Sequence, residues 1–149
     1  MRASALKALV VAAVMAVPAA ASAQVEQPAP GSPERAAILD ALRGRTIGEL
    51  GGPIEFVVND IRVLGEWAFV DAHPQRPGGG PIFYTYTRYQ AAWDAGALDQ
   101  VVTALLRETP AGWLVYEYDF GATDVVWMPW MTMYPVPPEV FPSGPAPAK

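Results

Sequence analysis

Two apolar runs, Val101 to Arg107 and Trp113 to Phe120, constrain this chain more than any other feature. Between them lies Thr109-Pro110-Ala111-Gly112, with Pro and Gly at the positions a type I turn prefers. Such a pair reads as an antiparallel hairpin. A lone hairpin is marginal in water, so these strands need further partners and a face to bury.

The partners are legible upstream. Ile54, Phe56 and Val58 alternate with Glu55, Val57 and Asn59, which gives a half-buried strand. Ile61-Arg62-Val63-Leu64 and Trp67-Ala68-Phe69-Val70 flank Gly65-Glu66, a tight turn. Ser32-Pro33-Glu34 opens a helix: Ser32 accepts at the N-cap, Pro33 suits the first turn, and Glu34 faces the positive end of the dipole. Ile38, Ala41 and Leu42 give that helix an apolar face, and it ends at Gly44 or runs on to Leu50 before Gly51-Gly52-Pro53. Tyr86, Tyr89 and Trp93 suggest a short helix before Gly96, whereas His73 to Pro81 is too rich in Pro and Gly for regular structure and reads as a surface loop. The expected architecture is α+β: one N-terminal helix packed on a curved antiparallel sheet of four to five strands.

The ends carry different signals. Arg2 and Lys7 precede an apolar run from Ala8 to Ala21, and Ala21-Ser22-Ala23 supplies a small-x-small site. This is the pattern of a cleavable secretory signal over residues 1–23, so the chain is expected to be exported, periplasmic or secreted, with no membrane span after cleavage. Residues 24–32 read as a disordered linker, 33–142 as a single domain and 143–149 as a disordered Pro/Ala tail.

Composition removes many functions. There is no cysteine, hence no disulfide, thiol nucleophile or cysteine-held zinc. The formal net charge is −5, and loss of Arg2 and Lys7 with the signal would make it more acidic still. Seven scattered arginines in an acidic domain lack the footprint of a nucleic-acid binder or of a protein that seeks anionic lipid. His73 is the sole histidine and reads as a solvated loop residue; Ser32 and Ser143 are the serines left after the signal, one a helix cap and one in the tail. No metal and no cofactor site is expected, and the ordinary hydrolase triads are excluded.

Carboxylates and aromatics remain. Strict alternation puts Trp113, Val115, Glu117 and Asp119 on one face of the last strand, and Leu114, Tyr116, Tyr118 and Phe120 on the other. On a concave face Glu117 and Asp119 could do acid–base work; if the Tyr/Phe face is core, they point to water. Asp124, after Thr123, reads as a cap or as an acid at a pocket mouth. Tyr84, Tyr86 and Trp93, with Phe83 and Tyr89, are either core or the lining of an apolar-ligand or carbohydrate site. The Val125–Phe141 stretch carries Trp127, Met128, Trp130, Met131, Met133 and Tyr134 between Pro129, Pro135, Pro137 and Pro138, which forbid a continuous helix or central strand. It is expected to be an irregular arm sealing the core, with a Met/aromatic docking surface for an envelope protein as the alternative.

ALLRETPAGWLVYEY (Ala104 to Tyr118) resembles the closing hairpin of cystatin-like and NTF2-like domains. With GEWAFV (Gly65 to Val70) and GATDVVW (Gly121 to Trp127), the chain from Pro33 to Phe141 also resembles a group of small exported bacterial proteins of uncharacterised function. NTF2-like enzymes usually open with several helices that build a cone-shaped pocket. One such helix is legible here, so the resemblance implies the simpler cystatin-like roll. The functional expectation is a non-catalytic exported domain that binds a small apolar or aromatic ligand or an envelope protein. The alternative is an NTF2-like acid–base enzyme using Glu117, Asp119 or Asp124; Tyr84, Tyr86, Trp93 and Trp130 are the candidate ligand contacts.

Overall fold

Ser32 starts the first helix as its chemistry requires. Its side-chain oxygen accepts the backbone N–H of Arg35 at 3.3 Å, and Pro33 occupies the first turn of α1 (Pro33–Leu50). The computed structural model describes residues 23–143 of this chain. The expected signal segment and Pro/Ala tail lie, apart from Ala23 and Ser143, outside the described residues. α1 does not stop at Gly44. Ile38, Leu42, Thr46 and Leu50, four apart, are all buried, and Thr46 donates to the Leu42 carbonyl at 3.0 Å. That continuous stripe outweighs the roughly 1 kcal/mol that each of Gly44 and Gly48 costs inside a helix. Gly51, at φ 66°, ends it and returns its N–H to the Ile47 carbonyl.

Four strands follow: β1 (Glu55–Leu64), β2 (Trp67–Gln75), β3 (Val102–Thr109) and β4 (Gly112–Phe120). They form one open antiparallel sheet in the order β1-β2-β3-β4. The molecule is therefore α+β with a four-stranded sheet. Short helices α2 (Gln90–Asp94) and α3 (Trp130–Met133) lie before β3 and after β4. The 109–112 hairpin closes with Thr109 opposite Gly112, as the turn chemistry implies.

Two local expectations are corrected. Residues 55–59 and 61–64 belong to one strand, interrupted by a bulge at Asn59: Val58 pairs with Ala72 and Asp60 with Asp71. The bulge explains the sequence pattern, because it keeps Phe56 and Val58 on the same face as Ile61 and Val63 although the parity changes. Second, the loop expected from His73 begins later. β2 continues through Pro74, which pairs with Phe56. Pairing with β3 ends at Ala72, so β2 is locally an edge there and tolerates the missing N–H of proline. His73 lies on this strand, with Nδ1 2.8 Å from the Gln100 carbonyl. Ahead of α1, Glu26 bonds Val63 through both its N–H and its C=O at 2.8 Å.

Both faces of the sheet are covered. On the first face Ile38 and Leu42, each 0% exposed, pack against Val63, Val70, Leu106 and Phe120. Alanines at 68, 72 and 104 leave room for this layer. Segment 82–98 completes it: Tyr84 stacks with Phe120 at 6.0 Å, and Tyr89 meets Phe120 edge-on at 5.0 Å. Arg76 ties the first layer to the sheet by donating to the Leu50 and Pro53 carbonyls at 2.9 and 3.2 Å and to that of Gly51. A cation on those free carbonyls also complements the negative end of α1. On the second face the arm covers Leu64, Trp67, Phe69 and Leu105 with Trp130, Val136, Val140 and Phe141. Phe141 meets Phe69 edge-on at 5.8 Å and stacks on Trp127 at 5.5 Å.

Candidate functional site

The strand that carries the candidate acids also contains a bulge. Leu105 pairs with Glu117 but Leu106 pairs with Val115, so Tyr116 is the extra residue. Strict alternation therefore fails along β4. Trp113, Val115, Tyr118 and Phe120 all join the α1-side core, while Tyr116 and Glu117 both lie on the arm side. Tyr116 packs edge-on against Trp67 at 5.3 Å, and Glu117 accepts a hydrogen bond from the Tyr134 hydroxyl. That bond to a carboxylate raises the Tyr134 pKa, since ionising the phenol would set two negative charges side by side.

The other two acids serve local turns. Asp119 accepts the Ala122 N–H at 3.2 Å, and exposed Asp124 accepts the Val125 N–H at 2.7 Å. Neither Glu117 nor Asp119 lines any of the three described cavities. Asp124 borders a recess of about 300 Å³ with Asp71, Asp99, Thr103 and Thr123. Among the described residues no group of three or more His, Asp or Glu is arranged to hold a metal ion.

The four aromatic candidates do not converge. Tyr84 is buried, donates to Gln100 Oε1 at 3.1 Å and lies 5.1 Å from half-exposed Trp93. Burial pushes the Tyr84 phenol up to about 12. Tyr86 is 98% exposed, with a left-handed φ of 65°. Trp130 is buried on the opposite side of the sheet, in the arm-side core. Tyr84 and Trp93 are thus together, Tyr86 is in solvent, and Trp130 is remote from all three.

The roomiest of the three described cavities lies along the arm, which the sequence reads as a seal or, alternatively, as a docking surface. A cleft of about 530 Å³ opens between the arm, residue Val25 and β1, lined by Arg62, Trp127, Met128, Met131 and Phe141. That volume falls within the ~300–1,000 Å³ of ordinary small-molecule sites, as does a wall of apolar and aromatic side chains with few polar groups. The arm is held open by its own chemistry. Prolines at 129, 135, 137 and 138 break it into single turns, so it covers Phe69 and Trp67 without filling the space over Arg62.

Arg62 was not singled out from sequence, although one signal was available. It alternates with Ile61 and Val63, so it must face away from the α1-side core. Trp67 and Phe69 on β2 have the same outward facing, which marks that second face as covered. No known family model matches this chain, and no curated protein or solved structure matches it. Among the described residues no helix is long and apolar enough to cross a membrane.

Proposed function

We propose that this chain is a non-catalytic, exported binding domain that holds a small apolar or aromatic molecule between its C-terminal arm and the sheet. The observation that carries this reading is the 530 Å³ cleft walled by Trp127, Met128, Met131 and Phe141. Methionine and aromatic side chains offer polarisable, adaptable contacts to an apolar guest. The enzyme alternative is weakened by the engagement of its three acids: Glu117 with a tyrosine, Asp119 and Asp124 with backbone turns. Among the described residues one long helix precedes a four-stranded meander, which supports the simpler cystatin-like roll over a cone-shaped NTF2-like pocket. The export half of the proposal rests on the signal pattern at residues 1–23.

The test uses N-phenyl-1-naphthylamine, a neutral apolar dye that brightens when it leaves water. Saturable binding to the wild-type protein is expected. The Met131→Trp variant, which puts a larger ring in the cleft wall, is expected to lose most of it while keeping the wild-type melting temperature within a few degrees. Absence of saturable dye binding, or equal binding by a folded Met131→Trp variant, overturns the reading.

A further inference from the structure

Among the described residues the cleft contains one cation, and its state is unlike that of the other arginines there. Arg35 donates to the Pro28 carbonyl, Arg43 to Asp40 and the Ile54 carbonyl, and Arg76 to the carbonyls that end α1. Arg45 and Arg88 both pair with Glu49, and Arg107 pairs with Glu66. Arg62 has neither an ion pair nor a hydrogen bond among the described residues, and its Nε is shielded from water with no partner. In a chain with fifteen acidic residues, the arginine left over is the one that lines the apolar cleft. Glu139 borders the same cleft, is exposed and does not reach ion-pair distance of Arg62.

The Nε of this guanidinium is under-solvated. Burying a donor without a partner is unfavourable, and more so when the group is charged. The planar fork of an arginine matches a carboxylate bidentately, and bonds between ionised groups are the stronger kind. Around that fork the cleft wall is mainly apolar, from Trp127, Met131 and Phe141, with Glu139 and Ser143 at its border.

We propose that the cleft takes an amphipathic organic monoanion, a carboxylate on an aliphatic chain or aromatic ring, with the acid on Arg62 and the apolar part against Trp127, Met131 and Phe141. This inference rests on the binding reading above and adds the charge of the ligand. Arg62 lies on β1, paired with Phe69, so the anion is held on the rigid sheet and the apolar part on the arm. The protein's overall negative charge opposes the anion's approach only at long range, where salt screens it beyond about 8 Å.

The experiment displaces the bound dye with decanoate and with 1-decanol, which have the same apolar chain and differ in charge. Decanoate is expected to bind about 10-fold or more tighter than decanol near pH 7, the ratio one charged hydrogen-bonded contact provides. The ratio should collapse toward one at about pH 4, where the carboxylate is largely protonated. In Arg62→Gln decanoate should lose about 10-fold or more in affinity, with Arg62→Lys between the two because the charge stays but the fork is gone. Equal displacement by decanoate and decanol in the wild type overturns the anion assignment while leaving the apolar cleft standing. Retention of the decanoate preference in a folded Arg62→Gln protein also overturns it. If Arg62→Gln does not fold, the wild-type ratio and its pH dependence decide. Failure of the dye itself to bind removes both proposals together.

Discussion

Phe141→Ala is the sharpest probe of the arm. The ring is 2% exposed, stacked on Trp127 at 5.5 Å and edge-on to Phe69 at 5.8 Å. Burying such a side chain stabilises by about 1.5–3 kcal/mol, and each aromatic pair adds about 0.5–1.5. The vacated space would join the existing cleft, which also touches Phe141, so water can enter and the strain of a sealed void is avoided. A loss of about 3 kcal/mol follows, near the low end for buried phenylalanine. For a domain of this size that lowers the melting temperature by roughly 10 °C. Urea unfolding followed by far-UV circular dichroism gives the free energy, and near-UV dichroism reports whether Trp127 loses its fixed surroundings. Leu114→Ala, on half-exposed β4 surface, is the control and should stay within about 0.5 kcal/mol. A change below that limit for Phe141→Ala would mean that the arm does not seal the second face.

Three further expectations test the other layer. Leu42→Ala, at a fully buried position under α1, should destabilise by about 2–5 kcal/mol in the same unfolding assay; a surface-like value would refute the packing of α1. Gly44→Ala should stabilise by about 0.5–1 kcal/mol, because the position is exposed, helical and has nothing within 4 Å of the added methyl; unchanged or lower stability would refute this. Burial pushes the phenols of Tyr84 and Tyr118 up to about 12, against an ordinary value of 10.0. The folded state therefore holds these protons after the unfolded chain has released them, so stability is intact below pH 10 and falls between pH 10 and 12. The expected loss is roughly 1–2 kcal/mol per tyrosine, reduced because neither phenol is wholly cut off from water. Tyr84→Phe should flatten part of that fall in alkaline unfolding curves, and an unaltered slope would sink the assignment.

Local chemistry made much of this fold legible. Ser32 and Pro33 start α1 and Pro110 and Gly112 shape the last hairpin because caps and turns depend on a few adjacent residues. What failed needed contacts from elsewhere. Gly44 looked like a stop, but Thr46 and Leu50 find a core that carries the helix past it. Pro74 looked like a loop residue, and only the end of β3 pairing at Ala72 explains its place in a strand. The bulge at Tyr116 reassigned the faces of β4 because pairing register is a property of two strands. Of the candidate site, the Met and aromatic wall was visible as an odd composition. Arg62 was not, since a lone arginine in a strand gains meaning only when the other arginines are seen to have partners.

The two bulges shape the sheet edges that another chain would meet. They fall at Asn59 and Tyr116, on the two outer strands of a sheet that does not close. A row of regular unpaired amides is a template on which another chain can polymerise, and irregular edges remove the template. β1 has a second guard in Glu26, which already occupies the Val63 amide and carbonyl. On β4 the guard is the irregularity itself, with the Glu117 carboxylate beside it. An open four-stranded sheet can thus present irregular edges without being rolled into a barrel. Straightening β4 by deleting Tyr116 would restore a regular row of unpaired amides on that edge, the template on which another chain can pair.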